Sequence, residues 1–171
     1  MNRKTVVGAA AFAALAALAW SGAARAQDPG FLSVGAGAFD FLETEHRSAQ
    51  FELQYRSGYK LWVFQPMLGA SVTTDSQAYV YAGISLDIFF GNRWVLRPSF
   101  APGLYRQGDG KDLGHTVEFR SAVELAYRFD DRSRLGLELY HRSNAGLDER
   151  NPGEESLMLN YSIPLTKIFG P

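Results

Sequence analysis

The sequence contains no cysteine, only three histidines among 171 residues, and no long apolar run beyond Trp20. The first absence excludes a disulfide frame and a thiolate zinc site, so stability has to come from packing and strand pairing. The scarcity of histidine leaves no cluster with metal-ligand spacing, and neither a metal nor another cofactor is expected. There is no block of lysine or arginine to neutralise phosphates, which argues against a nucleic-acid partner. No interval carries three turns of amphipathic helix, and no internal repeat or low-complexity tract is found.

What the chain does have begins with a segment of secretory type. Arg3 and Lys4 precede an apolar run from Val6 to Trp20, and Ala24-Arg25-Ala26 supplies a small-x-small cleavage pattern. The run is short for a membrane-spanning helix, which needs about 20 apolar residues. Residues 1–26 are therefore expected to be a signal peptide, and residues 27–171 one exported domain starting at Gln27. Cleavage would remove Arg3, Lys4 and Arg25 and no acid, so the formal charge of −1 would become −4.

Twelve phenylalanines, eight tyrosines and three tryptophans are distributed over many short segments. Period-two alternation recurs in eight of these, at residues 31–39, 47–56, 60–73, 78–89, 93–106, 114–129, 133–143 and 155–165. Several reach the roughly 9–11 residues that a tilted strand needs to cross a bilayer. In the sixth, Val117, Phe119, Val123, Leu125, Tyr127 and Phe129 share one face, and Glu118, Arg120, Glu124 and Arg128 the other. In the seventh, Leu135, Leu137 and Leu139 oppose Glu138, Tyr140 and Arg142; in the second, Phe51, Leu53 and Tyr55 oppose Glu52, Gln54 and Arg56.

Alternation alone does not separate a soluble sandwich or a lipocalin-like carrier from a membrane barrel. The connections do. Tight turns at Ser57-Gly58-Tyr59, Gly91-Asn92 and Asp130-Asp131-Arg132 take turns with mostly longer links at Asp40–His46, Thr74–Gln77, Gln107–Leu113 and Asn144–Glu154. Outer-membrane barrels have short periplasmic turns and longer external loops. The expected fold is thus all-β: an eight-stranded antiparallel up-and-down transmembrane β-barrel in a Gram-negative outer membrane. So narrow a barrel is filled by its own side chains, here Arg56, Glu118, Arg120, Glu124, Arg128, Glu138 and Arg142, which excludes a porin.

Of the histidines, His46 falls in the first outer loop and His115 opens the sixth segment; both read as solvated or rim residues. His141 stands apart, in His141-Arg142-Ser143-Asn144-Ala145-Gly146. Residues two apart on a strand point the same way, so His141 and Ser143 continue the apolar face of Leu135, Leu137 and Leu139. A serine hydroxyl needs a base, and the base an orienting carboxylate. Glu155 shares the parity of Leu157, Leu159, Tyr161 and Ile163 on the next strand, whereas Glu154 does not. Asn144, Gly146 and Asn151 are candidate N–H donors to an oxyanion. The competing reading is a rim histidine beside a rim serine on a non-catalytic barrel with a structural or surface-protection role.

The stretch His141-Arg142-Ser143-Asn144-Ala145-Gly146-Leu147, followed by Asn151-Pro152-Gly153-Glu154-Glu155-Ser156-Leu157, resembles the PagL family of lipid A 3-O-deacylases. The resemblance implies an eight-stranded outer-membrane barrel with a Ser-His-Glu triad on its outer wall. It places the base on His141, the nucleophile on Ser143 and the carboxylate on Glu155, with Asn144, Asn151 and Gly146 about the oxyanion. The implied activity is removal of an ester-linked 3-hydroxyacyl chain at the 3-O position of lipid A. The implied partner is lipopolysaccharide of the outer leaflet, and a homodimer is left open.

Overall fold

A computed structural model of the protein describes residues 29–170; the expected signal peptide lies outside them. The strands are β1 (Phe31–Phe39), β2 (Ser48–Arg56), β3 (Gln65–Thr73), β4 (Ala78–Ser85), β5 (Ile88–Phe90), β6 (Trp94–Arg106), β7 (Val117–Arg128), β8 (Arg134–Ser143) and β9 (Glu154–Pro164), followed by a short helix α1 (Leu165–Phe169). Apart from β4 and β5, which do not pair with each other, each strand pairs antiparallel with its neighbours in sequence; β1 pairs β9, and β4 pairs β6 past β5. The β1–β9 and β4–β6 pairings close the sheet.

β4 and β5 are one stave of an eight-stranded barrel. Their partners on β6 stay in a single register, from Tyr81 opposite Gly103 to Phe89 opposite Val95. The interruption falls where Leu86 donates its N–H to Pro98 O at 3.0 Å. Proline has no N–H to return, so the ladder loses one rung without slipping. Pro66 acts similarly at the β2–β3 hairpin: it accepts from Ser57 N–H at 2.9 Å and returns nothing. The turn expected at residues 57–59 is therefore displaced, with Leu61 and Phe64 exchanging bonds at 2.8 and 3.1 Å around Trp62. β3 begins at Gln65, later than the sequence suggests, and β7 begins at Val117, which leaves His115 in the loop.

The faces fall as the alternation requires. Leu137 is 54% exposed on the outer wall, while Arg120 is fully buried in the lumen. An aliphatic exterior around a charged interior is the reverse of a soluble carrier and suits a lipid-facing barrel. Arg120 Nη2 donates to Glu138 Oε2 at 2.7 Å and lies 3.7 Å from Glu52, with its guanidinium 4.2 Å from the Tyr140 ring centre. Arg97 pairs with Glu124, Arg134 with Asp87 at 2.8 Å, and Arg142 with Glu154 at 3.2 Å. Arg56, Glu118, Arg120, Glu124, Glu138 and Arg142 are buried as expected, and Arg128 is half-buried at the end of β7. Arg97, Arg134 and Glu154 join the filling.

Both ends of the described chain lie at the rim that carries the connections 57–64, 91–93 and 129–133. There Lys167 on α1 donates to Asp131 Oδ2 at 2.5 Å, and Ser133 gives its hydroxyl to Oδ1 at 2.6 Å. The lysine bond first, then Ser133, holds the Asp131 carboxyl below its ordinary range. A depressed folded pKa contributes stability above the unfolded value of about 4, and this is lost as pH falls through the folded one. Lys167→Ala is expected to raise the Asp131 titration midpoint, read from its carboxyl carbon by NMR; an unmoved midpoint would leave Ser133 as the cause.

Candidate active site

The opposite rim carries the loops 40–47, 74–77, 107–116 and 144–153. Just below it, the antiparallel register sets His141 of β8 directly across from Glu155 of β9, and Arg142 across from Glu154. Side chains alternate, so one pair faces out and the other in. His141 Nδ1 meets Glu155 Oε1 at 3.0 Å on the outer wall, with side-chain exposures of 49% and 38%. Glu154 is buried in the lumen, bound to Arg142 and accepting the Ser156 hydroxyl at 2.7 Å.

Ser143 lies two residues further along β8 on the outward face, half-buried, and opposite Phe119 of β7. With Nδ1 engaged by Glu155, the other ring nitrogen of His141 is the one left for a hydroxyl. His141 also faces Ser121 across the β7–β8 pair. Ser121 is the small, polar member of an otherwise apolar outward column, and it opens a groove of about 320 Å³ bounded by Val123, Leu139, His141 and Glu155. The omission of residue 121 from the apolar face of its strand was the available sequence signal.

The loop after β8 is organised by Asn144. Its Oδ1 accepts from Gly146 N–H at 2.9 Å, and its Nδ2 donates to Arg150 O at 2.7 Å and to Leu113 O at 3.0 Å. Its own N–H goes to Asn151 Oδ1 at 3.0 Å. An oxygen that accepts a backbone N–H fixes the flip of the Asn151 amide, so Nδ2 is its free donor end. Of the three oxyanion candidates, Asn144 and Gly146 thus spend their donors within the loop in this conformation, and Asn151 keeps one. His46 and His115 lie away from the pair; His115 Nδ1 accepts from Val117 N–H at 2.9 Å, a loop-closing role.

Barrel and wall together define a small outer-membrane protein with a cluster of polar groups on its lipid-facing surface, close to one rim. The chain belongs to the PagL family: the family model "Lipid A 3-O-deacylase (PagL)" matches residues 31–164. The lipid A deacylase PagL of Pseudomonas aeruginosa is 30% identical over 103 residues, which are 60% of this chain and 51% of that protein. The protein of the same name from Bordetella bronchiseptica is 30% identical over 89 residues, 52% and 42% of the respective chains. The aligned part thus spans about half the length of these curated relatives. The crystal structure of the outer membrane enzyme PagL superposes with a TM-score of 0.63 at 19% identity, covering 78% of this chain and 99% of that one. At that identity the likeness is one of fold.

Proposed function

We propose that this protein is an outer-membrane esterase that removes an ester-linked 3-hydroxyacyl chain from the 3-O position of lipid A. The observation that carries the reading is the His141–Glu155 contact of 3.0 Å on the outer wall, with Ser143 on the same face. A histidine, a serine and a carboxylate turned toward lipid are costly there unless they have partners, and His141 and Glu155 partner each other. Family membership names the matching chemistry.

Ser143 Oγ attacks the ester carbonyl while His141 Nε2 takes its proton. The imidazolium formed is stabilised by Glu155, which also keeps the proton on Nδ1 beforehand. Asn151 Nδ2 donates to the carbonyl oxygen as it gains charge. Collapse of the tetrahedral species breaks the bond to the sugar oxygen, which takes the proton from His141. Water, deprotonated by His141, then attacks the acyl carbon; its bond to Ser143 Oγ breaks, the serine takes the proton back from His141, and the fatty acid leaves. The acyl chain lies in the groove beside Ser121 and Leu139 and along the aliphatic wall, so the ester is cut without lifting the chain out of the hydrophobic layer. All three groups come from adjacent strands of one chain.

The test is mass spectrometry of lipid A from a Gram-negative host with and without the expressed protein. The expected product lacks one 3-hydroxyacyl chain at the 3-O position. Unchanged lipid A in cells whose outer membranes hold the folded barrel would leave the non-catalytic reading in its place.

A further inference from the structure

We infer that Gly153 is a positioning residue for His141, its missing side chain letting the imidazole serve Glu155 and Ser143 together; this rests on the reading of His141 as the base. Gly153 is buried two residues before Glu155, at the end of the loop that returns to β9, with a φ of 66°. A Cβ built on it would stand 2.8 Å from His141 Cε1, 3.5 Å from Nε2 and 3.3 Å from the Arg142 carbonyl oxygen. Contacts under 3.0 Å are ones real Cβ atoms essentially never show.

Cε1 joins the two ring nitrogens. The backbone of Gly153 therefore borders the ring edge between the nitrogen that meets Glu155 and the one left for Ser143. It closes off the space into which the ring would otherwise swing. A side chain at this position has to push on Cε1 or displace the loop. Because Nδ1 is held at 3.0 Å by Glu155, a push at Cε1 either opens that contact or turns Nε2 away from Ser143. Either movement misaligns proton transfer, while Val123 and Leu139, the apolar flanks of the groove that takes the acyl chain, stay in place.

The left-handed backbone is a separate demand, and a second glycine separates the two. Gly91 has a φ of 63° with nothing within 4 Å of its built Cβ, in the turn between β5 and β6 at the opposite rim. Gly91→Ala meets the same backbone strain but no imidazole. Gly153→Asn complements it, because asparagine tolerates the left-handed region and still brings a Cβ.

The experiment compares wild type, Gly153→Ala, Gly153→Asn and Gly91→Ala as folded barrels in detergent, with purified lipid A as substrate. Both Gly153 variants are expected to lose about 10²-fold in kcat, the scale of a misplacement near 1 Å. Their KM should stay within about twofold, because the apolar flanks of the groove at Val123 and Leu139 stay in place. The Nδ1–H proton resonance of His141, which reports its bond to Glu155, should shift or broaden in them. Gly91→Ala should match wild type in all three measurements. A folded Gly153 variant with kcat within about threefold of wild type overturns the inference, as does a loss of kcat with an unchanged resonance. So does failure of both Gly153 variants to fold, which would make the glycine a structural one. An inactive wild type, or a Ser143→Ala variant as active as wild type, would instead sink the functional reading itself.

Discussion

Ser143→Ala is expected to reduce lipid A deacylation about 10⁶-fold, to background, and Glu155→Ala about 10⁴-fold, with both barrels folded as wild type. Glu154→Ala, one residue away, should spare the rate and lower stability instead. Strands turn alternate residues to opposite faces, so neighbouring acids inherit unrelated work. Glu155 holds the imidazole on the outer wall, and without it the base loses its orientation and the charge that balances the imidazolium. Glu154 neutralises Arg142 in the lumen at 3.2 Å. Removing one partner of a buried ion pair costs about 3–5 kcal/mol, because the remaining charge is left without compensation. Rate assays should therefore single out Glu155, and urea unfolding Glu154. Equal losses of rate in the two variants would undo the assignment of faces.

The fold was legible because the alternation is deep: in β8 every second residue from Arg134 to Arg142 is buried, and those between face out. The same parity put His141, Ser143 and Glu155 on one wall. Strand limits were less legible, for a reason that sits in two prolines. Pro66 and Pro98 lie within alternating runs, and their missing N–H groups move a turn and split a stave without disturbing the pattern of side chains. Loop chemistry was harder again. Asn144-Ala145-Gly146 has the form in which an asparagine oxygen caps the amide two residues on, and that local bond takes the Gly146 N–H counted among the oxyanion donors. Gly153 gave no local sign, since the imidazole it borders lies on another strand and meets it only when the loop closes.

The location of the site follows from the same inversion that defines the barrel. A soluble esterase excludes water by sinking its triad into a cleft. Here the apolar medium is outside, so residues proposed to act on a lipid belong on the outer wall. The interior is left to hold the strands in register. The Arg142–Glu154 pair lies directly behind His141–Glu155 on the same two strands. A slip of one residue between β8 and β9 would turn the acid and the base to opposite faces. Interior electrostatics and the proposed exterior site are coupled through that register.

Arg120 should show how much the interior contributes. It is fully buried, bound to Glu138 at 2.7 Å, near Glu52 at 3.7 Å, and stacked on Tyr140. Arg120→Leu leaves two buried carboxylates facing each other without a cation, and is expected to lower the unfolding free energy by about 3–5 kcal/mol in urea. The aliphatic side chain itself is not the problem. Arg120→Leu combined with Glu138→Leu removes one of the two carboxylates left without a cation, and should recover part of the loss. A double-mutant cycle over the two positions then yields the coupling directly. A single variant within about 1 kcal/mol of wild type, the range of a surface substitution, would show that the lumen charges are solvated well enough to dispense with one another. In that case the register would have to be held by the backbone ladder and the aromatic packing around Tyr81 and Tyr140 alone.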